Sequence, residues 1–173
     1  MEGNRKSYHA ERNFILQQGV LPPPAERCPL RFSALMFQPR IVGTIVVSAV
    51  LLQSPAIFLA LSGVLWWSAL HPRWNPFDAL YNRTFGERPT GLRLSSAPAP
   101  RRFAQGMAGS FALGIGGSLL LGWDLAAFIL EALLLAALAA LVFGRFCLGS
   151  FIFHFVRGQG EFARNTLPWV RGH

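Results

Sequence analysis

Cys147, Ser150 and His154 fall within GRFCLGSFIFH, residues 144–154. A thiol, a hydroxyl and an imidazole are the groups from which nucleophilic sites are built. On one helix their three- and four-residue spacings place them on a shared face. Cys147 and His154 would still stand two turns apart, about 10 Å, too far for a direct thiolate–imidazolium pair. Arg145 is the nearest cation in sequence that could favour a thiolate. Cys147 is therefore the candidate thiol, and no catalytic residue is assigned. Cys28 is the other of two cysteines. Two do not make a disulfide framework, and both are expected on a reducing, cytosolic face.

Glu131 is the one ionisable residue inside an apolar run. It lies seven residues past Asp124, about 10 Å along a helix. A charge at the centre of a membrane span costs about 2.5–3.5 kcal/mol, so such residues are candidates for function. No second acid, lysine or histidine accompanies it, which argues against a proton path. The expected role is an intramembrane polar contact, to Ser110, Ser118, a backbone carbonyl or another subunit. His71 and His154 are the weak candidates for haem, metal or pigment. Neither belongs to a haem-attachment motif or a zinc-ligand spacing, so no metal site and no cofactor are expected, with room left for a bound lipid or pigment.

The elements that position these groups follow from composition. The 173 residues are 52% hydrophobic and 14% charged, with mean hydropathy +0.37, against about 25% charged in soluble domains. The first 27 residues carry no apolar core of signal-peptide length. Four apolar runs stand out: Ile41–Gln53, Ala56–Leu70, Phe103–Leu121 and Leu125–Phe143. Ser54-Pro55 suits an N-cap with proline at the first helical position, and Asp124 is the expected cap of the last run. Spanning a bilayer takes roughly 17–25 residues. The second pair meets this; the first pair is short and is expected to start in the interface or thin the bilayer. The non-alternating pattern excludes a barrel. The expected fold is an all-α integral membrane protein, four transmembrane helices as two hairpins, with a short interfacial helix in the central loop. Its parts are an N-terminal tail and entry segment (1–38), hairpin 1 (39–70), a loop (71–101), hairpin 2 with a helical extension (102–156) and a C-terminal tail (157–173). The tail end LPPPAERCP is expected to be extended and solvated.

The net charge of +8 is distributed as topology rather than as a nucleic-acid surface. All 16 Lys and Arg lie in residues 1–40, 73–102 and 145–171, and neither hairpin turn holds one. That is a positive-inside pattern, which sets both termini and the central loop on the cytoplasmic face of a bacterial inner membrane. Trp66, Trp67 and Trp74 are the expected aromatic belt, with Arg73 and Arg83 as further interface anchors. In WNPFDALYNRTF, Asn75 can cap and Pro76 start a helix. Phe77, Leu80, Tyr81 and Phe85 share its apolar face, with Arg88 nearby, as on a leaflet surface. Gly106, Ser110, Gly114, Ser118 and Gly122 recur every four residues, as do Ala132, Ala136, Ala140 and Gly144. Small residues let helices approach in lipid, so these two ridges are expected to face each other. A continuous helix from Leu125 to Val156 would run about 48 Å, against roughly 30 Å of hydrocarbon. It must project into the cytoplasm or break near Gly144-Arg145.

The PR before the first run, DALYNR in the loop, APRRFAQ before the third run and FGRFCLGSFIF after the fourth together resemble the bacterial membrane family known as domain of unknown function 4395. The resemblance spans about Pro39 to His154. It implies a Cys-x-Gly-Cys signature near Cys147, with Ser150 where the family has its second cysteine, and an association with thiol or sulfur handling. A dithiol cannot form from Cys147 and Ser150. The expected function is a non-catalytic accessory or structural subunit of a larger respiratory or photosynthetic membrane complex, with lipids and other membrane subunits as partners and no nucleic acid. The alternatives are a thiol- or sulfur-handling protein serving a cytosolic sulfurtransferase or thioredoxin, and a small-molecule transporter.

Overall fold

The apolar runs form helices, the conformation in which a segment satisfies its backbone hydrogen bonds internally. A computed structural model describes residues 2–86 and 92–170, with side-chain positions from Tyr8 onward, and contains no strand among them. Arg88 lies outside the described residues. The helices are α1 (Glu2–Gln17), α2 (Cys28–Leu35), α3 (Phe37–Leu52), α4 (Pro55–Leu70), α5 (Pro76–Thr84), α6 (Ala99–Leu120), α7 (Asp124–Val142), α8 (Leu148–Val156) and α9 (Gly160–Asn165). Three stretches are long and apolar enough to cross a membrane: Ala25–Leu52, Ala99–Leu120 and Asp124–Val142. α4 is equally apolar but shorter. The first apolar run is thus longer than its sequence suggested, since helix already begins upstream of Ile41.

The punctuation is local chemistry. α3 ends at Gln53 in the left-handed conformation (φ 44°), Ser54 is extended, and Pro55 opens α4. The Asn75 side chain accepts a hydrogen bond from the Phe77 amide at 3.0 Å, capping α5 as its sequence predicts. For α7 the cap falls on Trp123, and Asp124 becomes the first helical residue. Its carboxylate there still complements the positive end of the helix dipole. Of the two fates open to the long last helix, the break is observed. α7 stops at Phe143, Arg145 adopts φ 54°, and Cys147 caps the separate α8. A Cβ on Gly144 would meet the Ala140 carbonyl oxygen at 2.6 Å, so glycine permits the bend.

Packing departs from the expected ridges. α6 lies mainly along α4, and its close-approach residues are Gly109, Ala112 and Gly116. A Cβ on Gly109 would come within 2.9 Å of Trp66, and one on Gly116 within 2.9 Å of Leu59. The Ser62 hydroxyl donates to the Gly109 carbonyl at 2.8 Å. The four-residue ridges fail for a geometric reason: at 3.6 residues per turn each step of four drifts about 40°. Gly106 consequently faces Trp66 and Ala69 of α4, Ser110 is exposed, Gly114 approaches Leu130 of α7, and Ser118 is buried. On α7 the buried face is Ala127, Glu131 and Leu134, while Ala132 and Ala136 are exposed and Ala140 is half-buried.

The polar ends fold as well. The N-terminal segment is no plain tail: Phe14 and Ile15 of α1 are buried with Cys28, Phe32, Leu35 and Cys147. Only the short connector around Leu21 is extended and exposed. The Arg145 guanidinium lies 5.2 Å from the Phe32 ring centroid and 3.5 Å from the Glu11 carboxylate. Asn13 donates to the carbonyls of Leu167 and Val170, both at 2.9 Å, tying α1 to the C-terminal segment. α5 is less superficial than an interfacial helix would be. Phe77 joins the core of α3, α4, α6 and α7, and Tyr81 and Phe85 meet Phe37 edge-on at 5.4 and 5.9 Å.

Candidate functional site

A polar cluster is buried where α3, α5 and α6 meet. The Arg101 guanidinium makes two bonds to Asp78, Nη2 to Oδ1 at 2.6 Å and Nη1 to Oδ2 at 3.2 Å. Nη2 also donates to Gln38 Oε1 at 2.9 Å, and the Gln105 amide donates to the same oxygen at 2.8 Å. Asn75 completes the set with a 3.2 Å bond to Asp78 Oδ2. The paired side chains are 7% and 9% exposed. A planar guanidinium matches a carboxylate in this forked geometry and holds both groups in one orientation. Every member comes from a sequence element noted above: Gln38 precedes PR, Asp78 opens DALYNR, and Arg101 and Gln105 belong to APRRFAQ. None was singled out as a site residue. The signal was present in these segments, but no local spacing joins Arg101 to Gln38.

Cys147 stands beside this cluster. It is 5% exposed and lines a cavity of about 80 Å³ that also meets Gln18, Gln38, Arg101 and Gln105. On its other side is an apolar cavity of about 160 Å³, walled by Met107, Phe111, Leu134 and Leu148. The Gln105 Oε1 and the Ser150 hydroxyl are buried without a hydrogen-bond partner among the described residues. The Cys147 amide donates to Gln17 Oε1 at 2.9 Å, and His154 Nε2 lies 3.1 Å from the Gln17 carbonyl oxygen. The end of α1 thus holds both ends of the predicted Cys–Ser–His face, and all three residues are buried.

His154 is not a wet interfacial imidazole. Its Nδ1 is 2.8 Å from Gln159 Oε1, so both ring nitrogens lie within hydrogen-bond distance of groups of this chain. His71 ends α4, exposed, with its ring 4.5 Å from that of Trp67. No group of three His, Cys, Asp or Glu suited to a metal occurs among the described residues. Glu131 is 4% exposed, and its partner is none of the serines proposed. Gln53 Nε2 reaches its two carboxylate oxygens at 3.3 and 3.2 Å. The left-handed turn after α3 aims that amide at α7. Trp66, Trp67 and Trp74 are all substantially exposed, as are Arg73 and Arg83. Trp67 Nε1 donates to the Trp74 carbonyl at 3.3 Å.

The described residues are thus helical throughout their regular structure, with three apolar stretches long enough to cross a membrane and the polar motif residues locked against one another. The chain belongs to the family described as a domain of unknown function (DUF4395), whose family model matches residues 30–157. That match takes in α3 to α8 and leaves α1 and α9 outside. Searches of curated proteins and of solved structures gave no match.

Proposed function

We propose that the chain is a four-span protein of a bacterial cytoplasmic membrane, with α3–α4 and α6–α7 as hairpins and both termini in the cytoplasm. In this reading it serves as a non-catalytic accessory subunit of a larger membrane assembly, respiratory or photosynthetic. The observation that carries the reading is the outward face of α7. Ala132 and Ala136 are exposed there beside Phe128, itself 68% exposed. An open groove of about 590 Å³ between α3 and α7 adds Gly43, Thr44, Ser48 and Ala139. Small residues on a lipid-facing surface are what close helix association uses, and none of the described helices lies there. The locked Asp78–Arg101 cluster fits the same reading, since its charges are engaged in joining helices.

Purification in mild detergent followed by mass spectrometry is expected to find partners in fixed stoichiometry. Ala136→Leu should deplete them while the chain still accumulates in the membrane. Recovery of a monomer or homodimer alone would sink the proposal.

The thiol reading keeps one observation in its favour, the cavity that Cys147 lines together with Gln105. Burial of Cys147 opposes exchange with a carrier protein. A membrane-impermeant maleimide applied to inside-out vesicles separates the readings: slow or absent labelling of Cys147 goes with the accessory subunit, rapid labelling with thiol chemistry. A transporter finds less support, since Glu131 is held by Gln53.

A further inference from the structure

A second groove, on the opposite side of α6, combines a fixed cation with an apolar channel. It measures about 540 Å³ and is open along one side. Its floor and walls are Trp66, Leu70, Phe103, Gly106, Ser110 and Phe111. At its mouth Arg102 donates from Nε to the Ala69 carbonyl at 2.7 Å. That bond orients the guanidinium, and its two terminal nitrogens make no hydrogen bond or ion pair among the described residues. The mouth lies at the end of the helices that carries Trp67, His71 and Trp74, where aromatic side chains mark a headgroup region. Further in, Gly106 has no side chain, and the Ser110 hydroxyl turns back to the Gly106 carbonyl at 3.0 Å. The one hydroxyl in the channel wall is thereby satisfied within its own helix.

We propose that this groove binds an anionic phospholipid, with the phosphate on the terminal nitrogens of Arg102 and one acyl chain lying over Gly106 and Ser110 beside Trp66. Charge complementarity selects the occupant. A partner helix would fill the apolar part but leave a desolvated guanidinium without an acceptor, whereas a phosphate supplies paired oxygens in the matching geometry. This explains why Gly106 and Ser110 stay clear of α7: they shape a lipid seat.

The inference rests on the membrane reading, and one experiment separates their failures. The delipidated protein is reconstituted into nanodiscs of phosphatidylcholine containing a minor fraction of brominated phosphatidylglycerol, or of brominated phosphatidylcholine as the control. Tryptophan quenching is expected to be greater with the brominated anionic lipid, and that excess should vanish in Trp66→Phe. Arg102→Gln should weaken the anionic preference about fivefold, as for one basic residue at a membrane surface. Gly106→Leu should abolish the excess by filling the channel, while Gly63→Leu, on an open part of α4 with nothing within 4 Å of its Cβ position, should leave it intact. Equal quenching by the two lipids, or an excess unchanged in Arg102→Gln and Gly106→Leu, overturns the lipid site alone. Failure to enter nanodiscs at all overturns the membrane reading with it.

Discussion

Two regions bring an acidic group in among apolar helices, and they solve the problem differently. Asp78 meets a guanidinium in two bonds, with Gln38, Gln105 and Asn75 around the pair. Glu131 meets one neutral amide, from Gln53, at distances above 3 Å. The first is a junction: Gln38 enters α3, Asp78 lies on α5, and Arg101 and Gln105 open α6. The second links a turn to α7 and can loosen without parting the helices. A buried ion pair adds little beyond a well-packed apolar substitute, yet losing one partner strands a charge. The polar cluster is thus intolerant of single changes, and the Glu131 contact is adjustable.

The sharpest way to test that contrast is Arg101→Ala. It should destabilise the fold by about 3–5 kcal/mol, read as a loss of folded protein in a detergent unfolding titration. Asp78→Ala should do the same, and the double replacement Asp78→Leu with Arg101→Met should recover most of the loss. Additive losses would break the comparison. Gln38→Leu comes next: it removes the acceptor shared by Arg101 and Gln105 and is expected to cost about 1–3 kcal/mol. Glu131→Gln should change stability by less than about 1 kcal/mol, because a neutral amide of the same shape can still accept from Gln53 and leaves no charge to bury. If it unfolds the protein as Arg101→Ala does, the two regions are equivalent after all. The smallest effect belongs to Gln53→Gly. It loses the amide contact and adds freedom to the unfolded chain, about 0.4–1 kcal/mol. It also relieves a left-handed backbone that costs a side chain about 1–2 kcal/mol, so the change should be near zero by thermal melting.

The contrast also shows what the sequence could and could not convey. The apolar runs, the Ser54-Pro55 and Asn75 punctuation and the option of a break at Gly144 are local, and local chemistry specifies them. The helical α1 was missed because EGNRKSYHAERNFILQ is polar and earns its burial only by packing on α2 and α8. The small-residue ridges misled because exact four-residue repetition looks like one face and is not. Gly109 and Gly116, the residues that meet α4, sit seven apart with Ala112 between them. For the candidate site, Cys147 and Glu131 were visible as lone chemical oddities. Arg101, Asp78 and Gln38 were not, since their partnership spans 23 and 63 residues and only the fold brings them together.

The bond from Asn13 to the carbonyls of Leu167 and Val170 has a consequence in time. Those partners lie 154 and 157 residues downstream. During synthesis α1 emerges early but lacks its C-terminal anchor until nearly all of the described chain has left the ribosome. Phe14 and Ile15 can pack on Phe32 and Leu35 of α2 as soon as those residues follow, whereas Cys147 joins that cluster much later. α1 is thus fastened in two stages, to α2 soon after it is made and to the C-terminal segment only at the end.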